Sequence, residues 1–167
     1  MTLVELMVVS IVLVILMAGL SNTFVSGLRA SADANTRLAG QESVRTAFDR
    51  LEYEVRCTST ATLVGGGAGV ALSIPSQCPH ATGDVAWCVS GTVLERRAGG
   101  TDCSTGTVQP FVSDVTSATP FACLTAPGDL PRLQITLTVN TSTAPAEATT
   151  AVDTITFRNA TAGSGCT

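Results

Sequence analysis

The first twenty residues form an almost uninterrupted apolar run, MTLVELMVVSIVLVILMAGL, which contains a single acid, Glu5. Between residues 6 and 20 the only polar side chain is that of Ser10. As a helix with a rise of about 1.5 Å per residue, this run would span roughly 30 Å, the thickness of the hydrocarbon core of a bilayer. An unpaired carboxylate at that depth costs a few kcal/mol, so Glu5 is the first candidate functional residue.

Helical periodicity continues beyond the apolar run. Apolar residues recur at steps of three and four, first at Phe24, Val25, Leu28 and Ala32, and then at Val44, Phe48, Leu51 and Val55. Opposite charges lie four residues apart beside these stripes, as is typical of a solvated helix face. The pattern predicts one helix over residues 2–56, about 80 Å long, whose second half packs on a following domain.

After Thr58 the pattern changes to short runs that are rich in β-branched residues, separated by Gly and Pro. The predicted strands are residues 70–74, 85–89, 92–96, 132–139 and 152–157. Ser90-Gly91 predicts a tight hairpin between the second and third of these strands. The predicted fold class is α+β, with a long N-terminal helix, apolar in its first half, packed by its second half on a C-terminal antiparallel sheet. The predicted divisions are 1–25, 26–57 and 58–167.

All six cysteines follow the apolar run. An even number of cysteines in the polar part favours a disulfide-stapled domain on the oxidising side of a membrane over reduced thiols in a cytosolic core. Six cysteines allow many pairings, and we expect each cysteine to pair with its neighbour in the chain. The expected pairs are Cys57–Cys78, Cys88–Cys103 and Cys123–Cys166.

Few residues suggest catalysis or ligand binding. There is no Cys-x-x-Cys pair, His80 is the sole histidine, and residues 65–69 lack the Lys-Ser/Thr of a phosphate-binding loop. A net charge of −4 gives no general attraction to nucleic acid. Arg96-Arg97 could contact phosphates, but a solvated strand end is the favoured interpretation. We therefore expect no enzyme activity, no metal and no cofactor.

The segment TLVELMVVSIVLVIL, with its acid at position 5, resembles the class III signal of type IV pilins and type II secretion pseudopilins. In that family a prepilin peptidase removes a basic leader and the new N-terminus is methylated. No Lys or Arg precedes Arg29, so we expect Met1 to be the methylated first residue of a processed chain. Met1 replaces the usual Phe, and Asn22 stands near the place where the family often has Pro.

The resemblance also implies a location and partners. Such subunits wait in the inner membrane and are packed by an inner-membrane assembly platform and its ATPase into an extracellular filament at the cell surface. The filament is a homo-oligomer or includes other pilins. Glu5 would pair with the N-terminal amine of a neighbour, beside Met1 and Thr2. The residues expected to pack the filament core are Leu3, Leu6, Val9, Leu13 and Leu16.

Several alternatives stay open within this resemblance. The chain could be the main subunit of a pilus, or a minor pilin or pseudopilin of a pilus tip or a secretion pseudopilus. A non-polymerising, membrane-anchored binding domain is the rival class. Adhesion, motility, DNA uptake and secretion are not distinguished at this level. The weak helix formers at residues 19–23 are expected to be helical in lipid, and we hypothesise that they extend in a filament. Filament density with an unbroken helix there would refute this.

Residues 138–150, TVNTSTAPAEATT, predict an exposed loop because they are poor in apolar residues and crowded with Thr and Ser. We weigh a glycosylated loop, with sugar on Thr141, Ser142 or Thr143, against the same loop without sugar. An intact mass equal to that of the bare chain plus one methyl group, less the protons lost to disulfides, would exclude the glycan.

Overall fold

The structure is a computed structural model that describes residues 2–78, 83–126, 129–140, 148–160 and 165–167. The chain divides into two compact units, Met1–Leu38 and Ala39–Thr167. The predicted fold class is confirmed, because a long N-terminal helix is followed by antiparallel strands and the structure contains three disulfides.

Helix α1 runs from Leu3 to Cys57, within one residue of the predicted bounds at each end. Residues 19–23 are helical, and the extension of this segment in a filament stays a prediction. The helix begins with Glu5 in its first turn and ends with Arg56 in its last turn, so both charges favourably oppose the helix dipole. Thr58 follows the helix as a buried residue, and its hydroxyl shares its one donor between the carbonyl oxygens of Thr60 and Ser73.

Five strands form the first antiparallel sheet in the order β1-β2-β3-β4-β5. Their bounds are β1 Thr60–Val64, β2 Gly69–Ile74, β3 Gly83–Ser90, β4 Val93–Ala98 and β5 Thr107–Val112. The predicted hairpin between β3 and β4 is confirmed, since Ser90 pairs with Val93 and leaves a two-residue turn. Gly91 opens that turn with a φ of 61°, a conformation that favours glycine.

Three strands form the second antiparallel sheet in the order β6-β7-β8. Their bounds are β6 Phe121–Leu124, β7 Arg132–Asn140 and β8 Ala148–Thr156. Strict alternation of apolar and polar residues predicted the inward face of β7, and the structure confirms it. Four side chains of that face are buried: Leu133, Ile135, Leu137 and Val139.

Three strands were not predicted from the sequence: β1, β5 and β6. Strand β6 has four residues, and β5 carries Pro110 and has an exposed first half, so neither gives a clear alternating pattern. Strand β1 ends directly at the glycine run Gly65–Gly67, which forms a short 3₁₀ turn. The separation of the strands into two sheets was also not predicted.

The core of the second unit lies between the C-terminal part of α1 and the two sheets. The helix contributes Ala47, Leu51 and Val55, each at most 1% exposed. The buried face of the helix is therefore rotated slightly from the predicted stripe, since Val44 and Phe48 are only partly buried. The largest fully buried side chains of the sheet layer are Trp87 and Phe157.

The three disulfides join the same pairs that the sequence analysis expected. Cys57–Cys78 links the end of α1 to the segment after β2, and Cys88–Cys103 links β3 to the loop before β5. Cys123–Cys166 links β6 to the last three residues of the chain. Those residues lie parallel to β1, where the Ala61 and Leu63 amides donate to the carbonyl oxygens of Gly165 and Thr167 at 2.6 and 2.7 Å.

Replacing Cys123 and Cys166 together by Ala is expected to lower the free energy of unfolding by about 2–4 kcal/mol, because the unfolded chain gains freedom. Hydrogen exchange should also become faster at the Ala61 and Leu63 amides, which the C-terminal residues cover. The control is the double replacement of Cys88 and Cys103, which should leave exchange at these two amides slow relative to global unfolding. Equal acceleration in both variants would contradict the role assigned to the C-terminal bridge.

Candidate functional site

Glu5 caps the start of α1. Its Oε2 accepts a hydrogen bond from the backbone N–H of Thr2 at 3.0 Å and one from the Thr2 hydroxyl at 3.4 Å. The sequence T-L-V-E has the spacing of a capping box, in which the acid at the third helical position reaches back to the residue before the helix. Part of what Glu5 does is therefore local: it satisfies an N–H group that the helix itself cannot.

The second carboxylate oxygen of Glu5, Oε1, has no hydrogen-bond partner among the described residues. Both oxygens lie at an exposed helix start, so Oε1 can accept a donor from another molecule while Oε2 keeps the cap. Met1, the expected site of methylation and one of the residues expected beside Glu5, lies outside the described residues. Thr2, the third residue expected to take part in assembly, contacts Glu5 within the same chain.

The first half of α1 exposes its apolar side chains on all sides. The five residues expected to pack a filament core, Leu3, Leu6, Val9, Leu13 and Leu16, are between 55% and 74% exposed. The helix contains an 18-residue window with a mean hydropathy of 2.8, and none of that window is buried. It is long and apolar enough to cross a membrane. An apolar surface of this extent is typical of a segment that contacts lipid or other protein.

A second carboxylate of α1, that of Glu54, lies fully inside the folded unit. Its Oε1 accepts hydrogen bonds from Arg96 Nε at 2.8 Å and Arg50 Nε at 2.9 Å. Its Oε2 accepts one from the indole N–H of buried Trp87, also at 2.8 Å. Two guanidinium groups and an indole thus compensate one carboxylate, as a charge without access to water requires.

The favoured interpretation of Arg96 and Arg97 as a solvated strand end is wrong. Their side chains are only 11% and 14% exposed, and each pairs with a carboxylate of the folded unit. Arg96 contacts Glu54, and Arg97 donates from Nε to Glu95 at 2.8 Å. Neither group is presented to an external phosphate.

Glu54 was not predicted from the sequence as a buried residue, although a signal was present. Glu54 follows Leu51 by three residues and precedes Val55, so helical periodicity puts it on the buried stripe rather than on the solvated face. A charged residue on such a stripe needs a partner from another element. The partner could not be chosen from the sequence, because Arg96 is 42 residues away along the chain.

A third acid, Asp102, organises the loop between β4 and β5. Its Oδ1 accepts hydrogen bonds from the backbone N–H and the hydroxyl of both Ser104 and Thr105, all at 2.9 Å. These bonds, the Ser104 backbone bond foremost, lower the pKa of Asp102 to about 2. The Asp102 carboxylate thus stabilises the turn beside Cys103. These hydrogen bonds account for the position of Asp102, and no ligand is needed to explain it.

Among the described residues, no group of three or more His, Cys, Asp and Glu side chains could hold a metal ion. His80 and the three residues of the hypothetical glycosylated loop, Thr141, Ser142 and Thr143, lie outside the described residues. Comparison with protein-family models, with curated proteins and with solved structures found no match for this chain.

Glu54→Ala is expected to lower the free energy of unfolding by about 3–5 kcal/mol, because it leaves the buried Arg96 guanidinium without its carboxylate. The matched control is Glu52→Ala, which removes the exposed partner of Arg56 from the same helix and should cost less than about 1 kcal/mol. Denaturant titration of both variants in the same detergent measures the difference. Equal losses would show that the Glu54 contacts do not stabilise the fold.

Proposed function

We propose that this protein is a pilin-like structural subunit that assembles into a filament through its N-terminal helix. The fold, a long apolar N-terminal helix followed by antiparallel sheets, is compatible with that role. One observation carries the proposal: the apolar run at the start of α1, residues 3–20, is not covered by any other described residue, and Glu5 is its only acid. A simple membrane anchor would gain only the helix cap from that acid, and a cap does not require a negative charge.

The proposed sequence of events begins in the inner membrane. The first half of α1 lies in lipid, where its apolar side chains are favourable and the Glu5 carboxylate is costly unless it is neutralised. The Thr2 cap supplies two hydrogen-bond donors to Glu5 but no positive charge. The subunit therefore carries an electrostatic cost that a suitable partner can remove.

In the filament, the N-terminal amine of a neighbouring subunit supplies the missing charge. The amine pairs with Glu5, and a charge-assisted pair in a medium of low dielectric constant is strong. If a subunit were shifted along the filament axis, the Glu5 carboxylate and the neighbour's amine would both be buried, but they would no longer be in contact. The pair thus selects one axial step between subunits.

Packing of the apolar side chains accompanies this pairing. Transfer from lipid to a filament core removes little water from Leu3, Leu6, Val9, Leu13 or Leu16, because lipid tails are as apolar as the side chains themselves. Those residues contribute close van der Waals contacts instead of a hydrophobic driving force. The Glu5 pair is consequently the interaction that changes most between the two environments.

Assembly in this proposal requires that the N-terminus is processed and that the subunit is exported. A prepilin peptidase removes a leader, Met1 is methylated, and an inner-membrane platform with its ATPase moves the subunit into a cell-surface filament. The subunit acts by assembly rather than by catalysis. N-terminal sequencing of protein recovered from sheared extracellular fibres tests the cleavage, the methylation and the location together.

Two alternatives predict different observations. A minor pilin or pseudopilin would be scarce in sheared fibres and would require other pilins for assembly, whereas a main subunit would dominate them. A membrane-anchored binding domain would stay in the membrane fraction, would keep any leader and would not depend on Glu5. The exposed apolar helix fits each alternative, and the acid at its start favours assembly.

Glu5→Ala is expected to leave the protein in the membrane fraction and to reduce the yield of filaments at least about tenfold, because subunits lose their register and their charge pair. Quantitative immunoblotting of sheared fibres against the membrane fraction measures this yield. Glu42→Ala, which removes an exposed acid from the same helix, is the matched control and should assemble normally.

Glu5→Gln separates the two roles of the carboxylate. Its amide oxygen can still accept the Thr2 N–H and cap the helix, but it carries no negative charge for the amine. We expect Glu5→Gln to assemble as poorly as Glu5→Ala. Normal assembly of the Gln variant would show that helix capping is what matters and would overturn the charge-pair mechanism.

A further inference from the structure

A groove of about 430 Å³ lies within the second unit, between one flank of α1 and the start of β8. Its floor is apolar and comprises Val44 and Phe48 of the helix together with Val139 and Ala151 of the sheet. On the helix, the lining residues recur every four positions along one side of the buried stripe. On that flank, Val44 and Phe48 pack against the core but stay only partly buried.

The strand beside this groove is the open edge of the second sheet. Phe157 donates its backbone N–H to Pro131, which fixes the alternation of hydrogen bonds between β7 and β8. By that alternation the backbone groups of Ala148, Thr150 and Val152 point away from β7. None of these groups has a partner among the described residues.

The open part of the edge has a defined length. At its far end the outward N–H of Thr154 is already bonded to the Asp153 side chain at 2.7 Å. That bond protects the second half of β8 from pairing, in the way that charged residues commonly protect sheet edges. The accessible stretch is thus residues 148–152, long enough for a short added strand.

We propose that this edge binds an extended segment of another protein as an additional strand, with its alternate side chains in the groove. A strand beside β8 would satisfy the outward backbone groups of Thr150 and Val152. Because side chains alternate across a sheet, every second residue of that strand would point to the inner face, where Phe48 and Ala151 lie. Backbone hydrogen bonds would supply affinity, and the groove would select the inward residues.

The charges at the rim define the chemistry of the partner. Three carboxylates, those of Asp49, Glu52 and Asp153, and one guanidinium, that of Arg45, line the groove, and Glu52 also pairs with Arg56. One negative charge is left in surplus when Arg56 is counted, and it favours a segment that alternates apolar residues with an Arg or Lys on the inward side. A second copy joined through the same edge would instead bring its own carboxylates to the same place, which is unfavourable.

The proposal does not rest on filament assembly, so it is tested on the full chain in dodecyl maltoside micelles. The probe is a fluorescent peptide, acetyl-Val-Thr-Val-Thr-Arg-Thr-amide, followed by anisotropy. A peptide with Glu in place of Arg should bind at least about threefold more weakly, since it opposes the rim charge. A peptide N-methylated at every residue keeps the side chains but cannot donate to the edge, and we expect no measurable binding.

Val152→Pro and Val152→Thr form the matched pair of variants. The N–H of Val152 points away from β7, so proline removes an outward donor without removing a bond of the sheet. We expect at least about tenfold weaker binding for Val152→Pro and a change within about twofold for Val152→Thr. Hydrogen exchange of the wild type should slow at Thr150 and Val152 when the peptide is added.

Three results would overturn the proposal. The first is equal binding of the methylated and unmethylated peptides, which needs no variant and holds even if Val152→Pro is poorly folded. The second is peptide protection at another strand with none at β8. The third is self-association of the chain that Val152→Pro abolishes, because the occupant would then be a second copy and not a basic segment of another protein.

Discussion

A carboxylate without access to water must be compensated by its neighbours, and in the folded unit this constraint is imposed by Glu54. The residue lies on the buried stripe of α1, between the apolar contacts of Leu51 and Val55. Its oxygens accept bonds from Arg96 and Trp87, which both belong to the first sheet. Each bond is directional, so the helix cannot rotate or slide on the sheet without losing these two bonds and leaving the buried carboxylate with Arg50 of its own helix alone. Apolar packing alone would tolerate such shifts more easily.

Glu5 is the other acid of this helix that lies among apolar residues. The same need for a compensating charge has a different consequence there. Glu5 has hydrogen-bond donors from Thr2 but no cation among the described residues. A carboxylate that is compensated inside its own chain stabilises a fold, whereas one that lacks a counter-charge in an apolar segment favours association with a molecule that supplies it. The two acids of one helix therefore point to two kinds of contact, one internal and one between molecules.

The sequence predicted those elements whose pattern is strong and local. The helix was predicted within a residue because a continuous apolar run is followed by apolar residues at steps of three and four, and β7 because Leu133 and its alternating neighbours form a clear half-buried strand. Strand β6 was missed because it has only four residues, and β5 because it contains Pro110 and its first half is exposed. The partners of Glu54 were missed for another reason. A local pattern predicts the face of the helix on which a residue lies, but it does not predict which distant side chain contacts that residue. The Glu5 segment was found because all of its residues are contiguous.

The folded unit protects its sheet edges by several devices, and comparing them shows why β8 stands out. The edge of β1 is covered by Gly165–Thr167, which the disulfide from Cys123 holds in place. Strand β5 carries Pro110, and its pairing with β4 contains a register shift, both of which discourage a further strand. On β8, only the half near Asp153 is protected in this way. No described residue covers the first half of the β8 edge, which lies beside an apolar groove. Such an edge promotes aggregation unless it has a partner, so this contrast with the protected edges supports its use in binding.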